Sequence, residues 1–200
     1  MDTTDTPAGI VCSELEPGLW PDLEALFGRN GACGGCWCQW WRIAGVEQWK
    51  DVKGEAAHVR LRRQVQEGHA HGVLAYSGDR AVGWCSFEPR SSLPRLERSP
   101  SFKGTKADGV WFVGCFFVER AWRRRGVADL LLAEALKLME RAGAQVVEAC
   151  PKDTHGTAQP DAFVYTGTRA MFERHGFLMA EGPKPGIAVM RKRLAGTDAE

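Results

Sequence analysis

Residues 110–136 read VWFVGCFFVERAWRRRGVADLLLAEAL, and the fold can be read outward from them. Val110 to Val118 is an almost unbroken apolar run, which predicts a central strand covered on both faces. A short link carries Arg120, Arg123, Arg124 and Arg125. Gly126, Val127 and Ala128 then open a helix. Its apolar positions Val127, Leu131, Ala135, Leu138 and Ala142 recur at spacings of three and four. Gly143 closes it, and Gln145 to Ala149 reads as the next strand. A helix N-terminus presents unpaired N–H groups and partial positive charge, so it is a ready anion site. Gly126 lets a phosphate approach the backbone with no Cβ in the way, and the arginines add charge-assisted donors. The expected ligand is a diphosphate. No Gly-Lys-Ser/Thr follows, so this is not a P-loop, and GxGxxG is absent.

The flanking elements are shorter. Ile10 to Leu15 predicts a first strand. Leu19, Trp20, Leu23, Leu26 and Phe27 predict a helix closing near Gly28. Residues 28–42, GRNGACGGCWCQWWR, follow no period and read as an ordered loop. Glu55 to Gln66 is a second helix. Gly72 to Tyr76 and Arg80 to Phe87, joined by Ser77-Gly78-Asp79, form a hairpin. Pro89 to Lys106 is a basic connection with Arg90, Arg95, Arg98, Lys103 and Lys106. Residues 151–167 are a long loop of the kind that is usually functional. Thr168 to His175 is a short helix ended by Gly176, and Phe177 to Ala180 and Ile187 to Arg193 are two last strands.

At roughly 150 residues per domain, 200 residues imply one domain, placed at 9–194. Residues 1–8 and 195–200 read as frayed tails. The chain is 44% hydrophobic and 26% charged, with a net charge of +1. That excludes a strongly basic nucleic-acid coat or an acidic disordered tail as the main theme. The longest charge-free apolar run, Gly109 to Val118, has ten residues, against the roughly 18 a membrane span needs. The polar, acidic N-terminus does not resemble a secretory signal, so the expected compartment is the cytoplasm. There the seven cysteines stay reduced. Cys12, Cys85, Cys115 and Cys150 sit in apolar runs and read as small buried hydrophobes.

Arg123-x-x-Gly126-x-Ala128 after an apolar strand resembles the acetyl-CoA signature of the GNAT superfamily of N-acyltransferases. Ala170 to Phe177, AMFERHGF, resembles that family's last helix and its Gly-Phe end. CWCQWWR at 36–42, GWCSFEPR at 83–90 and EACP at 148–151 resemble a widespread, mostly bacterial subgroup. The resemblance runs through residues 72–193 in element order. It implies an α/β layered fold: a mixed, mostly antiparallel sheet, splayed at its centre and flanked by helices on both faces. It also implies acetyl-CoA as co-substrate, with no metal. The acetyl group would pass to a primary amine, by the present reading that of a small molecule, through direct attack in a ternary complex. Phe116, Phe117 and Val118 would offer backbone groups to the pantetheine arm. Arg123, Arg124, Arg125, Gly126, Val127 and Ala128 would hold the diphosphate. A homodimer is left open.

The chain also departs from the family. Many members place a proton-donating Tyr in the last helix, where this chain has Phe172, and a frequent Asn near the helix start is replaced by Gly167-Thr168. Only Tyr76 and Tyr165 exist, and Tyr165 is the candidate donor. The first candidate base is Glu148, a carboxylate in an otherwise apolar strand, suited by such surroundings to accepting a proton. Glu88 is second; Glu119 follows the central strand but precedes Arg120 and reads as a solvated residue, and His155 and His175 qualify by chemistry only. Cys33-x-x-Cys36-x-Cys38 invites zinc, but a structural site wants four ligands and no second pair follows, so no metal is expected. Trp37, Trp40, Trp41, Arg42 and Glu88 are expected to wall the acceptor pocket, suiting an acceptor with an apolar or planar part. Two alternatives stand beside this reading. One is an acyl donor other than acetyl-CoA, either a carrier or an aminoacyl-tRNA whose phosphates would meet the arginines. The other is a non-catalytic CoA-binding or thiol sensor.

Overall fold

The computed structural model describes residues 9–99, 102, 108–154, 164–180 and 189–194. The two expected tails, His155, Lys103, Lys106 and the start of the last expected strand lie outside the described residues. The elements are β1 (Ile10–Glu14), α1 (Trp20–Phe27), α2 (Trp49–Val52), α3 (Glu55–Gln66), β2 (His71–Ser77), β3 (Arg80–Pro89), α4 (Pro94–Glu97), β4 (Val110–Val118), α5 (Val127–Arg141), β5 (Val146–Ala149), α6 (Arg169–Arg174), β6 (Leu178–Met179) and β7 (Met190–Arg193). Each expected helix and strand is present. The single-turn helices α2 and α4 were not expected, because one turn is too short to show a period.

The strands form one sheet in the order β1-β2-β3-β4-β5-β7-β6, with β4 in the middle as its apolar run demands. Every pairing is antiparallel except β4 with β5. A parallel pair needs a crossover, and α5 supplies it. Successive strand residues point to opposite faces, so β2 sends Val73 and Ala75 to one layer and Leu74 to the other. On the first face Leu131, Ala135 and Met139 of α5 cover Cys85, Phe87 and Val113. On the second, Leu23 and Phe27 of α1 and Leu61 and Val65 of α3 cover Leu74 and Trp84. Burying each large apolar side chain contributes about 1.5–3 kcal/mol.

Two irregularities shape the site. Ser86 pairs with Cys115 but Phe87 with Val113, so Gly114 is an extra residue, a bulge on β4. Trp41 Nε1 donates to the Gly114 carbonyl at 2.9 Å, and a Cβ there would sit 3.2 Å from the Trp41 ring. The second is the splay. Strand β5 accompanies β4 only from Val110 to Val113, and beyond the bulge β4 runs on to Val118 without it. No helix among the described residues is long and apolar enough to cross a membrane.

Candidate active site

The splay opens into a cavity of about 950 Å³. One end is the start of α5. Gly126 holds φ +75° just before the helix, and no side chain caps it. Arg124 is also left-handed, at φ +59°. The bend turns Arg123, Arg124, Gly126, Val127 and Ala128 onto the cavity wall. Arg125 does not join them; its guanidinium lies over the Trp122 ring. Asp129, in the first turn, is held by Arg174 at 2.8 and 3.1 Å and by His175 at 3.4 Å. Burial opposes its charge, but the hydrogen bonds from His175 and Arg174 outweigh that and hold its carboxyl below the usual range.

The middle of the cavity is the free side of β4. Glu119 N–H donates to Val82 O across the β3 side. By alternation, the polar backbone groups of Phe116 and Val118 face the opening. Not all are available. Phe116 N–H donates to the Tyr165 carbonyl at 2.6 Å, and Val118 O accepts from Arg123 Nε at 2.8 Å. The Val118 N–H still faces the opening, as does the Phe116 carbonyl, which accepts only a weak bond from Cys115 Sγ at 3.7 Å. Phe117 also lines it.

The far end is built from the loop after α1 and from the bulge. Cys33, Cys36, Cys38, Trp40 and Trp49 line it with Cys115 and Tyr165. Arg95 stacks on Trp40, its carbon 3.5 Å from the ring centre, and Trp49 meets Trp40 edge-on at 5.3 Å. Burial, then the Cys115 and Cys36 thiols, push the Tyr165 hydroxyl up to about 12, so it keeps its proton at neutral pH. Burial and Cys38 push the Cys36 thiol up to about 12. Cys38 goes the other way. A hydrogen bond with Cys115 and another from Trp84 lower its pKa against the effect of burial, with Trp84 Nε1 3.3 Å from Cys38 Sγ.

Several expected site residues stand elsewhere. Glu148 is 1% exposed and is absent from the cavity lining. Arg191 Nε donates to it at 2.7 Å, and Arg90 lies 3.5 Å from its other oxygen. It is therefore half of a buried ion pair in the sheet, and the expectation that it lines the cleft is corrected. Glu88 is likewise buried, held by Arg42 and by His71 Nδ1 at 2.8 Å, so neither Glu88 nor Arg42 reaches the cavity. Trp37 is core, its ring 4.5 Å from His58 and 6.1 Å from Trp20. Trp41 closes over Phe112 and the bulge. Of the expected acceptor wall only Trp40 lines the cavity. Cys36, Cys38, Cys115 and Trp49 take the remaining places, and Cys115 is more than a buried filler. The positive φ of Ala32, Trp37 and Cys38 breaks any period in this loop, so its facing could not be read from spacing. The arginines of the basic connection are engaged by the fold. Arg90 is fully buried, Arg95 stacks on Trp40, and Arg98 donates to carbonyls of residues 43–45. Among the described residues no group of three or more His, Cys, Asp or Glu could hold a metal ion.

No curated protein matches this chain. Solved structures share its fold. An acetyltransferase of the GNAT family from Streptococcus pneumoniae is 14% identical over 92% of this chain and 99% of its own, with a TM-score of 0.53. The structure of yncA from Salmonella typhimurium with its cofactor acetyl-CoA is 13% identical over 96% and 98%, at 0.56. A ribosomal-protein-alanine N-acetyltransferase from Brucella melitensis is 17% identical over 92% and 99%, at 0.52. The sequence pattern of the acetyltransferase (GNAT) family matches residues 36–177, from the cysteine loop through the bulged strand and the arginine–glycine turn to the end of the last helix, and the chain belongs to that family.

Proposed function

We propose that this protein transfers the acetyl group of acetyl-CoA to a primary amine of a small molecule. One observation carries the reading: the uncapped N-terminus of α5, with Gly126, Arg123 and Arg124, opens into the same cavity as the unpaired half of β4. A diphosphate at that helix end accepts backbone N–H groups and sits at the positive end of the dipole. A pantetheine arm laid along β4 meets the Phe116 carbonyl and the Val118 N–H and points its thioester at the bulge. A solved neighbour of this fold holds acetyl-CoA.

Tyr165 is the proton donor to the departing CoA sulfur. Its hydroxyl lines the cavity and stays protonated at neutral pH. The acceptor enters between the cysteine loop and Tyr165, where Trp40 and Trp49 suit a planar or apolar part. The seven unpaired thiols fit a reducing compartment such as the cytoplasm.

The test has two arms. Calorimetry with CoA measures the donor site directly. Thiol release from acetyl-CoA across a panel of small amines measures transfer. Saturable CoA binding with amine-dependent thiol release is the expected result, and no CoA binding at millimolar concentration would sink the reading.

A further inference from the structure

The acceptor end of the cavity has a rim that the transfer chemistry does not use. Trp40 and Trp49 line it, and each is half-buried. Arg95, also half-buried, lies over the Trp40 ring with its guanidinium carbon 3.5 Å from the ring centre. Its neighbours in α4 hold it there. Leu96 is fully buried, packed in one cluster with Leu93, Phe102 and Phe112. Arg98 donates to the Gly45 carbonyl at 2.8 Å and to the Ile43 carbonyl at 3.1 Å. The turn that carries Arg95 is thus pinned to the segment that follows Trp40.

The stack with Trp40 occupies only a face of the guanidinium. Its five N–H donors lie in the plane and point out along the edges. Among the described residues none of them meets a hydrogen-bond acceptor, and no carboxylate pairs with Arg95. Glu97, the one carboxylate of α4, lies 3.6 Å from Arg90 instead. Among the described lining residues the one carboxylate is Asp129, held by Arg174 at the opposite end. The acceptor end therefore offers a cation with free donors and two indoles, and no described carboxylate to balance a second cation on the acceptor. Burial and then the Arg98 charge disfavour the Arg95 cation, so an anion brought to it would be welcome. Its charge also registers at the Tyr165 hydroxyl, opposing the upward shift there. The guanidinium and the phenol thus act on the same space.

We propose that the acceptor is an amino acid, or a similar amino-carboxylate, with a planar apolar body, and that Arg95 is the residue that selects its carboxylate. The carboxylate takes the free edge of the guanidinium in a two-bond fork. The planar body lies against Trp40 and Trp49, and the amine is left toward Tyr165 and the thioester. One guanidinium matches the single charge of a carboxylate. A phosphate dianion would want further donors, and Arg98 beside it is already spent on carbonyls. This names the acceptor class for the acetyl-CoA reading above and rests on it.

The experiment measures kcat and KM by thiol release from acetyl-CoA for three acids and their bare amines: tryptophan against tryptamine, phenylalanine against phenethylamine, and 4-(aminomethyl)benzoate against benzylamine. CoA affinity is measured by calorimetry on the same protein. Wild type should prefer at least one acid over its bare amine by about 10-fold or more in kcat/KM. Arg95→Gln should lower kcat/KM for that acid by about 10- to 150-fold, the worth of a charge-assisted bond, chiefly through KM, and erase the preference with CoA affinity unchanged. Arg95→Lys, which keeps the charge and loses the fork, should restore part of it. Should the variants fail to fold, the wild-type preference still decides. A bare amine or a diamine used better than every acid, or no turnover of any acid, would overturn the carboxylate site, while CoA binding keeps the donor reading. An Arg95→Gln variant that loses acid and bare amine alike would overturn the assignment to Arg95. No CoA binding at all would remove the acetyl-CoA reading and this one with it.

Discussion

The Phe116 N–H donates to the Tyr165 carbonyl at 2.6 Å, across the gap where β4 has lost its β5 partner. One hydrogen bond thus closes part of the splay with loop backbone. The same residue places its phenol in the cavity. The loop before α6 is therefore positioned by the strand that it helps to make a binding surface.

Tyr165→Phe keeps that backbone bond and removes only the hydroxyl. As the proton donor to CoA, its loss should lower kcat about 10²–10⁴-fold with CoA affinity unchanged. Burial raises this phenol to about 12, so the wild-type rate should show no limb from it at neutral or mildly alkaline pH. Steady-state rates from pH 6 to 10 check both statements. A kcat within about threefold of wild type would take Tyr165 out of the chemistry.

Gly126→Glu should abolish CoA binding. It puts a carboxylate where the diphosphate meets the α5 N-terminus. It also forces a side chain onto φ +75°, at a backbone cost of about 1–2 kcal/mol. A thermal melt should show a modest loss of stability and a folded protein. Near wild-type affinity by calorimetry would displace the phosphate site from this turn.

Glu148→Gln should act on stability and not on chemistry. The substitution removes one of the two carboxylates beside the buried Arg90, leaving Glu97 at 3.6 Å, and takes the charge from the partner of Arg191. Breaking a buried pair costs about 3–5 kcal/mol, to be read from chemical denaturation. Activity per folded molecule should stay within about threefold. A hundredfold loss of kcat at unchanged stability would restore Glu148 as a base.

Asp129→Asn should cost stability in a pH-dependent way. The folded carboxyl lies below its unfolded value, near 3.9, because the bonds to His175 and Arg174 outweigh burial. A depressed acid contributes stability above its unfolded pKa and loses it as pH falls through the folded one. The gap between wild type and variant should therefore be full at neutral pH and shrink below about pH 4. A gap that stays constant down to pH 2 would show that the ion pair contributes nothing.

Legibility differed between elements for physical reasons. The stripe Val127, Leu131, Ala135 and Leu138 is periodic because one face of α5 meets the sheet, so spacing alone located it. The run Val110 to Val118 is continuously apolar because both faces of β4 are covered. The loop at residues 28–42 has no such constraint. Its turns rest on left-handed Ala32, Trp37 and Cys38, so neighbours in sequence face different ways. Trp37 went to the core, Trp40 to the cavity and Trp41 to the bulge.

Glu148 shows the same limit from the other side. An acidic residue in an apolar strand announces that something must neutralise it, and that much was written in the chain. Whether the partner is a substrate's proton or an arginine depends on which distant segments arrive, and here Arg90 and Arg191 did. The local elements, the arginine–glycine turn at the head of α5 and the family itself followed from the sequence, because they depend on short-range periods and on backbone demands at single residues. Which thiols share a wall, which carboxylates are spent on ion pairs and which face of the cysteine loop meets the cavity were decided by the tertiary structure, because each depends on contacts between residues tens of positions apart.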